Sequence, residues 1–296
     1  GYSSAASDVY KRQMRYTITG ATGHLGSAIT EQLLTQTDGH QIRLAVHTVQ
    51  KAAKFQDSGV EIVPIDFFDE SSLIKAFSDT DVLIYVPSKS DQAFARVTEL
   101  EHVINAAERA RVHHLLSMGF IADQVNNPFA LSPFYGYLPR RLAGSGLSYT
   151  IIRNALYADP LKPYLPELIE RHNVIYPVGD QALTFITLAD SAKAFAKVAV
   201  TPKLLKNHQI YTLTQSRNYT MPQLAALLSE VSHEQIGYSP VTLAEFEAMY
   251  NQDGEGHMLA SMYAGGALGL LNEVSDDYQT IMGHPATPLA EFMAEN

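Results

Sequence analysis

Short runs of β-branched and aliphatic residues alternate with helical patterns through the first half of this chain. Over residues 92–111, apolar side chains recur three and four positions apart, which predicts an amphipathic helix. We predict strands at residues 17–19, 42–47, 61–65, 81–86, 113–117 and 149–153. Strands separated by helices imply crossover connections, so these strands are expected to lie parallel in a sheet with helices on both faces.

The pattern changes after residue 153, beginning with three prolines between residues 159 and 166. We predict helices at residues 188–200, 221–231 and 243–249, with a strand at 210–213 among them. This half is expected to form a smaller, mostly helical substrate lobe over the carboxyl ends of the strands. The predicted domains are residues 14–158 and 159–296, with a segment at about 183–200 returning to the first domain. Residues 1–13 are polar and aperiodic, and we expect them to be a non-native leader before Met14.

The first strand leads through a turn with three glycines into a helix. Gly20 would permit a sharp turn, Gly23 a close approach of phosphates, and Gly26 tight packing of the helix on the strand. Backbone amides and the dipole at the start of the helix would then bind a pyrophosphate. The sequence therefore predicts an α/β, doubly wound parallel Rossmann sheet that binds a dinucleotide. The predicted contacts in this loop are Gly20, Thr22, Gly23, His24, Leu25 and Gly26.

Several motifs indicate a family. The Gly-x-x-Gly-x-x-Gly spacing of residues 20–26 resembles that of the extended and atypical short-chain dehydrogenase/reductases. Residues 149–157, Tyr-Thr-Ile-Ile-Arg-Asn-Ala-Leu-Tyr, resemble a stretch of the NmrA-like group. Residues 242–246, residues 281–289 and the Gly179-Asp180 turn resemble the type 2 NAD(P)H:quinone oxidoreductases within it. The resemblance spans residues 14–292 and implies an oxidoreductase that transfers hydride from NAD(P)H to a quinone-like small molecule.

The end of the second strand bears on the choice of cofactor. Folds specific for NAD place an Asp or Glu there to bind the ribose 2′-hydroxyl, whereas this chain has His47 and then Lys51. Both side chains could accept a 2′-phosphate, so we expect NADP(H) to be preferred, with NAD(H) as the alternative. The family usually has an Arg where His47 stands, and Lys51 could equally belong to a solvated helix face.

Two further loops are expected to contact the cofactor. The resemblance implies an adenine contact at Asp66 and Phe67, although an aspartate that opens a loop is also a common turn former. It also implies that Val86 and Ser88, at the end of the fourth strand, lie near the cofactor ribose, where Ser88 could bind ribose or substrate.

The proton donor is the irregular part of the resemblance. Short-chain dehydrogenases use Tyr-x-x-x-Lys, and here Tyr137 and Arg141 have the spacing without the lysine. Pro139 lies between them and disturbs a helix interior. Alignment through residues 142–146 instead places Tyr135 at the family's usual His or Lys position. Tyr135 and Tyr137 are both candidate catalytic residues.

The missing lysine favours an acceptor that needs little acid catalysis. A ketone develops a localised alkoxide, whereas the anion of a reduced quinone is delocalised, so its reduction needs chiefly proximity to the hydride donor. The alternative hypothesis is a non-catalytic, NmrA-type NAD(P)(H) sensor that presents a surface to a regulatory partner. An epimerase or an isoflavone-type reductase is a third interpretation, which the missing lysine weakens.

Composition excludes several other classes. A net charge of −10 argues against a nucleic-acid surface, and no apolar run approaches the ~20 residues of a membrane span. There are no cysteines, and the adjacent His113 and His114 would face opposite sides of a strand, so we expect no metal site. We expect a cytoplasmic protein with a small-molecule substrate, acting alone, as a homo-oligomer or with a regulatory protein.

Overall fold

A computed structural model describes residues 13–296. The expected leader, residues 1–13, lies outside the described residues except for Gln13. In chain order, the strands are β1 (Tyr16–Thr19), β2 (Ile42–Val46), β3 (Glu61–Pro64), β4 (Val82–Tyr85), β5 (His114–Phe120), β6 (Ser148–Asn154), β7 (Leu156–Tyr157), β8 (Asn173–Val174), β9 (Ala182–Leu183), β10 (Phe185–Ile186), β11 (Gln209–Leu213), β12 (Tyr219–Thr220) and β13 (Gly237–Tyr238). The α-helices are α1 (His24–Leu34), α2 (Glu70–Ala76), α3 (Ala93–Arg109), α4 (Ser132–Ala143), α5 (Leu161–Arg171), α6 (Leu188–Val200), α7 (Met221–Ser232), α8 (Leu243–Met249), α9 (Gly256–Ala267), α10 (Asp277–Met282) and α11 (Leu289–Ala294).

Seven parallel strands form the main sheet, in the order β11-β6-β5-β4-β1-β2-β3. The chain runs outward from β1 on one side and outward from β4 on the other, so the strand order reverses between these two strands. The carboxyl ends of parallel strands on either side of such a reversal leave a crevice in which ligands bind. The predicted doubly wound α/β fold is confirmed.

Helices cover the sheet and make its central strands fully buried. Every residue of β1 and β4 is buried, which explains why β4 is a continuous apolar run rather than an alternating one. Helix α1 packs against α6, and α3 packs against α2 and α4. No helix within residues 13–296 has both the length and the apolar character that crossing a bilayer requires.

One strand lies elsewhere than expected. The sequence pattern assigned residues 210–213 to the smaller lobe, and this is wrong: β11 pairs in parallel with β6, from Gln209 beside Thr150 to Leu213 beside Asn154. Parallel neighbours need a long crossover, and the chain between β6 and β11, which contains α6, supplies it. The division between residues 158 and 159 stays a prediction.

A buried histidine makes the fold sensitive to acid. The ring of His114 on β5 is within 2.8 Å of the hydroxyl of Thr150, which itself donates to the carbonyl of Lys206. The hydroxyl therefore accepts from Nε2–H of the ring. Burial lowers the pKa of His114 to about 4.

Replacing this histidine should reduce the loss of stability in acid. Between about pH 6.5 and pH 4, His114 binds a proton in the unfolded chain but stays neutral in the folded protein. The free energy of unfolding therefore falls as the pH falls. His114→Gln should remove up to about 3 kcal/mol of that fall, measured as the free energy of urea unfolding across this range. His257→Gln, at an exposed histidine, is the control. An unchanged pH dependence in His114→Gln would contradict the assignment.

Candidate functional site

A cleft of about 1120 Å³ lies at the carboxyl ends of the main-sheet strands. Small-molecule and cofactor sites usually enclose roughly 300–1,000 Å³, so the cleft has room for a dinucleotide. Every residue predicted to bind the cofactor lines it. These are Gly20, Thr22, Gly23, His24, Leu25, Gly26, His47, Lys51, Asp66, Phe67, Val86 and Ser88.

The glycine loop between β1 and α1 is shaped by backbone contacts that leave no room for side chains. Gly20 has a φ of +64°, and a Cβ there would lie 2.9 Å from the carbonyl oxygen of Val86. A Cβ on Gly26 would lie 2.1 Å from the carbonyl oxygen of Gly20. The first glycine therefore brings the loop against the end of β4, and the third brings the helix against the loop.

The start of α1 has the features of an anion site. Gly23 is the N-cap, no side chain caps the helix, and its first turn carries no acidic residue. The amides and the positive end of the helix dipole thus face the cleft without a competing carboxylate. A Cβ on Gly23 would lie 3.4 Å from the Gly20 carbonyl and would intrude on this cradle. The arrangement fits a dinucleotide diphosphate.

Sequence reasoning missed a cation beside this cradle. Lys89 lies on the loop after β4 and lines the cleft. Its Cε is 3.8 Å from where a Cβ of Gly23 would be, so its ammonium group can reach a diphosphate bound at the helix start. Its place directly after Ser88 was the available signal.

The end of β2 carries the two predicted 2′-phosphate ligands on an open surface. His47 and Lys51 are both exposed and line the cleft. The ring of His47 lies 3.3 Å from the hydroxyl of Thr48. Lys54 is instead ion-paired with Glu31 at 2.8 Å and does not line this cleft. The side chains of His47 and Lys51 are therefore available to bind a phosphate.

The remaining predicted cofactor residues lie along the cleft walls. A carboxylate oxygen of Asp66 accepts a hydrogen bond from the amide of Phe68 at 2.8 Å, so this aspartate does form the turn considered as its alternative role. Val86 is tied to β1 through the hydroxyl of Thr19, which donates to its carbonyl at 2.9 Å. The amide of Ser88 donates to Glu99 at 3.1 Å.

The inner end of the cleft contains a buried polar network that sequence reasoning missed. Glu99 on α3 accepts a hydrogen bond of 2.6 Å from the hydroxyl of Tyr85 as well as that from Ser88. Burial raises the pKa of Glu99, although these hydrogen bonds favour its charged form. One turn earlier, the guanidinium of Arg96 donates to the hydroxyl of Tyr135 at 3.0 Å. Arg96, Glu99 and Tyr135 are buried, and all line the cleft.

The structure does not bring Tyr137 to the cleft, which corrects its assignment as a candidate catalytic residue. Residues two apart on a helix point to nearly opposite sides, and Tyr135 is the one that faces inward. Tyr137 is exposed and donates to Glu101, which also binds Arg141 at 2.8 Å. This hydrogen bond to Glu101 raises the pKa of Tyr137. The Tyr-x-x-x-Arg spacing therefore builds a surface cluster.

A second cavity of about 370 Å³ adjoins the inner end of the cleft. Five residues line both spaces, which therefore meet at Met118, Tyr135, Tyr157, Pro160 and Tyr164. On the side away from the cleft, much of the wall of this second cavity consists of aromatic side chains from the loop after β8, from α8 and from α9. Tyr176 stacks on Tyr263 with ring centroids 5.1 Å apart, and Phe246 meets Tyr263 edge-on at 5.1 Å.

The wall of this aromatic cavity is nearly free of charge. Burial raises the pKa of Tyr157, Tyr176 and Tyr263 well above its usual value, so their hydroxyls stay neutral. Among its lining residues, all within the described part of the chain, none is Lys, Arg or His, and the one carboxylate is Glu255. The cavity suits a flat, uncharged ring.

Comparison with known proteins identifies the family. Residues 20–176 match a family described as NAD(P)H-binding. The chain belongs to this family. Quinone oxidoreductase 2 of Escherichia coli is 31% identical over 282 residues, covering 94% of this chain and 96% of that protein. This member of the NAD(P)H-binding family is an oxidoreductase related to that enzyme. An NmrA-like family domain-containing oxidoreductase of Aspergillus flavus is 23% identical over 298 residues, covering 96% of each chain, and the predicted resemblance is confirmed.

Solved structures show similarity over nearly all of the chain. An NADPH-dependent quinone oxidoreductase of E. coli, in complex with NADPH, has a TM-score of 0.86 and 30% identity, covering 94% of this chain and 98% of that one. A Staphylococcus aureus protein described as a nucleoside-diphosphate-sugar epimerase has a TM-score of 0.90 and 39% identity, covering 95% of this chain and 100% of that one. These similarities include the C-terminal part that forms the aromatic cavity.

Proposed function

We propose that this protein transfers hydride from NADPH to a quinone-like, uncharged aromatic electrophile. The observation that carries the proposal is the aromatic cavity opening into the cofactor cleft at Met118, Tyr135 and Tyr157. When bound, NADPH supplies the hydride. The side chains at the junction would hold a flat acceptor against the inner end of the cleft, in the geometry that proximity catalysis requires.

The residues that line the cofactor cleft provide contacts for four parts of NADPH. The glycine loop and the start of α1 would hold the diphosphate, with Lys89 beside it. His47 and Lys51 would hold the 2′-phosphate, since no carboxylate at the end of β2 opposes it. Phe67 and Asp66 would contact the adenine, and Val86 and Ser88 the ribose.

The name of the S. aureus relative raises sugar-nucleotide epimerisation as a second candidate. A sugar nucleotide carries a diphosphate of its own, and burying that charge needs basic partners. The aromatic cavity supplies none among its lining residues, which all belong to the described chain. Tyr137, the tyrosine with short-chain dehydrogenase spacing, faces away from the cavity. The first observation favours a neutral acceptor, and both disfavour sugar-nucleotide epimerisation.

Turnover with a panel of acceptors tests the proposal. Purified protein is mixed with NADPH and with benzoquinone or menadione, and the loss of the cofactor's near-ultraviolet absorbance is followed. UDP-glucose is incubated separately with the protein and NAD⁺ or NADP⁺, because epimerisation begins with transfer of a hydride from the sugar to the oxidised nucleotide. We expect kcat/KM of about 10⁴ M⁻¹s⁻¹ or more with menadione, and no conversion of UDP-glucose in the samples with NAD⁺ or NADP⁺. Calorimetric titration with NADPH and NADH accompanies the assay.

The two measurements together separate the enzyme from the sensor. Tight NADPH binding without turnover of any quinone would overturn the proposed reaction and favour an NmrA-type sensor. Conversion of UDP-glucose to its epimer would favour the second candidate. Absence of binding to either pyridine nucleotide would overturn the cofactor assignment itself.

A further inference from the structure

A buried cation, Arg96, lies at the inner end of the cofactor cleft, where its charge interacts with the carboxyl of Glu99 without direct contact. Arg96 is 9% exposed, and within residues 13–296 no carboxylate oxygen lies within 4.0 Å of its guanidinium. Its Nε donates to the carbonyl of Ser90 at 2.5 Å, which fixes one edge of the group. Buried charges in proteins are ordinarily paired or serve a site.

The hydrogen bond from Arg96 determines the orientation of the Tyr135 hydroxyl. A guanidinium can only donate, so the phenolic oxygen is the acceptor in the 3.0 Å contact. The tyrosine's own proton must point elsewhere. Within residues 13–296 the Tyr135 hydroxyl makes no hydrogen bond other than the one it accepts from Arg96. Tyr135 thus presents an unused donor where the cleft meets the aromatic cavity.

The ring of Tyr135 is held as firmly as its hydroxyl. It lies 5.0 Å from Phe134 and 5.5 Å from Phe120 between ring centroids, both edge-on, and is 6% exposed. The guanidinium of Arg96 lies 5.9 Å from the centre of the same ring. A donor fixed in this way loses little entropy when it meets an acceptor.

We propose that Tyr135 is the proton donor of quinone reduction and that Arg96 is its positioning residue. The inference rests on the proposed function. The quinone gains two electrons and one proton as hydride, and its remaining oxygen takes a second proton from Tyr135. The tyrosine O–H bond breaks as the new O–H bond forms, and the tyrosinate, stabilised by Arg96, regains a proton from water. Overall, quinone, NADPH and one proton give hydroquinone and NADP⁺.

This pair differs from the Tyr-x-x-x-Lys arrangement in its origin. The tyrosine comes from α4 and the cation from α3, 39 residues earlier. The guanidinium therefore contacts the phenol across the interface of two helices, whereas the lysine of the usual motif lies on the same helix as its tyrosine. The sequence spacing that identifies the usual pair does not reveal it.

The kinetic test compares two identical substitutions on one helix. Tyr135→Phe should lower kcat with menadione by at least about tenfold, at the low end of acid catalysis because the quinone anion is delocalised. Tyr137→Phe should stay within about twofold of wild type, since Tyr137 lies outside both cavities. The calorimetric Kd for NADPH should be equal in both variants. Wild-type kcat in Tyr135→Phe, or a loss confined to KM, would overturn the proposal.

A binding test decides the same point without turnover. Lawsone, a hydroxynaphthoquinone that is an anion at neutral pH, mimics the reduced acceptor, and its Kd is measured by absorbance in the presence of NADP⁺. Tyr135→Phe and Arg96→Met should each weaken it by at least about tenfold, the scale of a lost hydrogen bond to a charged group. Arg96→Lys, which keeps the charge, should recover most of the affinity.

The outcomes are distinguishable from failure of the proposed function. Thermal unfolding of each variant identifies any that fails to fold. No lawsone binding by the wild type, or equal binding by all four proteins, overturns the role of Arg96 and Tyr135. Quinone turnover absent from the wild type overturns the reductase proposal, while variant-sensitive lawsone binding would still place this pair at the acceptor oxygen.

Discussion

Gly26→Ala is expected to weaken NADPH binding by about 100-fold, or about 2.7 kcal/mol. The new Cβ would lie 2.1 Å from the carbonyl oxygen of Gly20, 2.5 Å from its carbonyl carbon and 2.9 Å from the Cα of Ala21. All three are backbone atoms, so relief requires α1 and the glycine loop to separate. The amides that face the diphosphate would then point away from it. Calorimetric titration with NADPH measures the effect.

Gly146→Ala is the matched control. A Cβ at this exposed glycine would meet only a carboxylate oxygen of Glu108 at 3.5 Å, which is ordinary contact. We expect its affinity for NADPH to equal that of the wild type. If Gly26→Ala also bound NADPH within about threefold of wild type, the glycine loop would not be the diphosphate cradle.

His47→Asp is expected to lower the preference for NADPH over NADH by about 10- to 100-fold. A carboxylate at the end of β2 would repel the 2′-phosphate and accept a hydrogen bond from the 2′-hydroxyl of NADH. Because His47 and Lys51 are exposed, the change should be larger at low ionic strength, where screening is weak. The ratio of the calorimetric Kd values for the two nucleotides measures it.

Gln235→Asp adds the same negative charge at an exposed position that does not line the cleft. Its nucleotide preference should match that of the wild type at every salt concentration. An unchanged ratio in His47→Asp would exclude this side chain from the 2′-phosphate site and leave Lys51 as its remaining predicted ligand.

The features predicted correctly depend on residues close together in the chain. The glycine loop is made within residues 20–26, so strand, turn and helix signals coincide there. The location of β11 could not be predicted in this way, because its partner β6 lies about 60 residues earlier. A single apolar strand among helices looks the same at a sheet edge and in a separate lobe.

The missed site residues left a weaker signal. On α3 the apolar stripe includes Leu100 and Val103, and counting four residues back from each gives Arg96 and Glu99. A charged residue that continues a buried stripe faces inward, where it needs a partner or a function. The Tyr137–Arg141 spacing is a stronger sequence pattern, but these two residues lie on the solvent-facing side of α4. Spacing identifies residues that share a face and does not tell which face is buried.

The two halves of the site come from different parts of the chain and share only a few side chains where they meet. Changes in or directly after α8 and in α9, at residues such as Phe246, Tyr250 or Leu259, would reshape the aromatic cavity without altering the residues that line the cofactor cleft. Substitutions confined to this wall are therefore expected to alter which oxidant binds while the source of reducing equivalents stays the same.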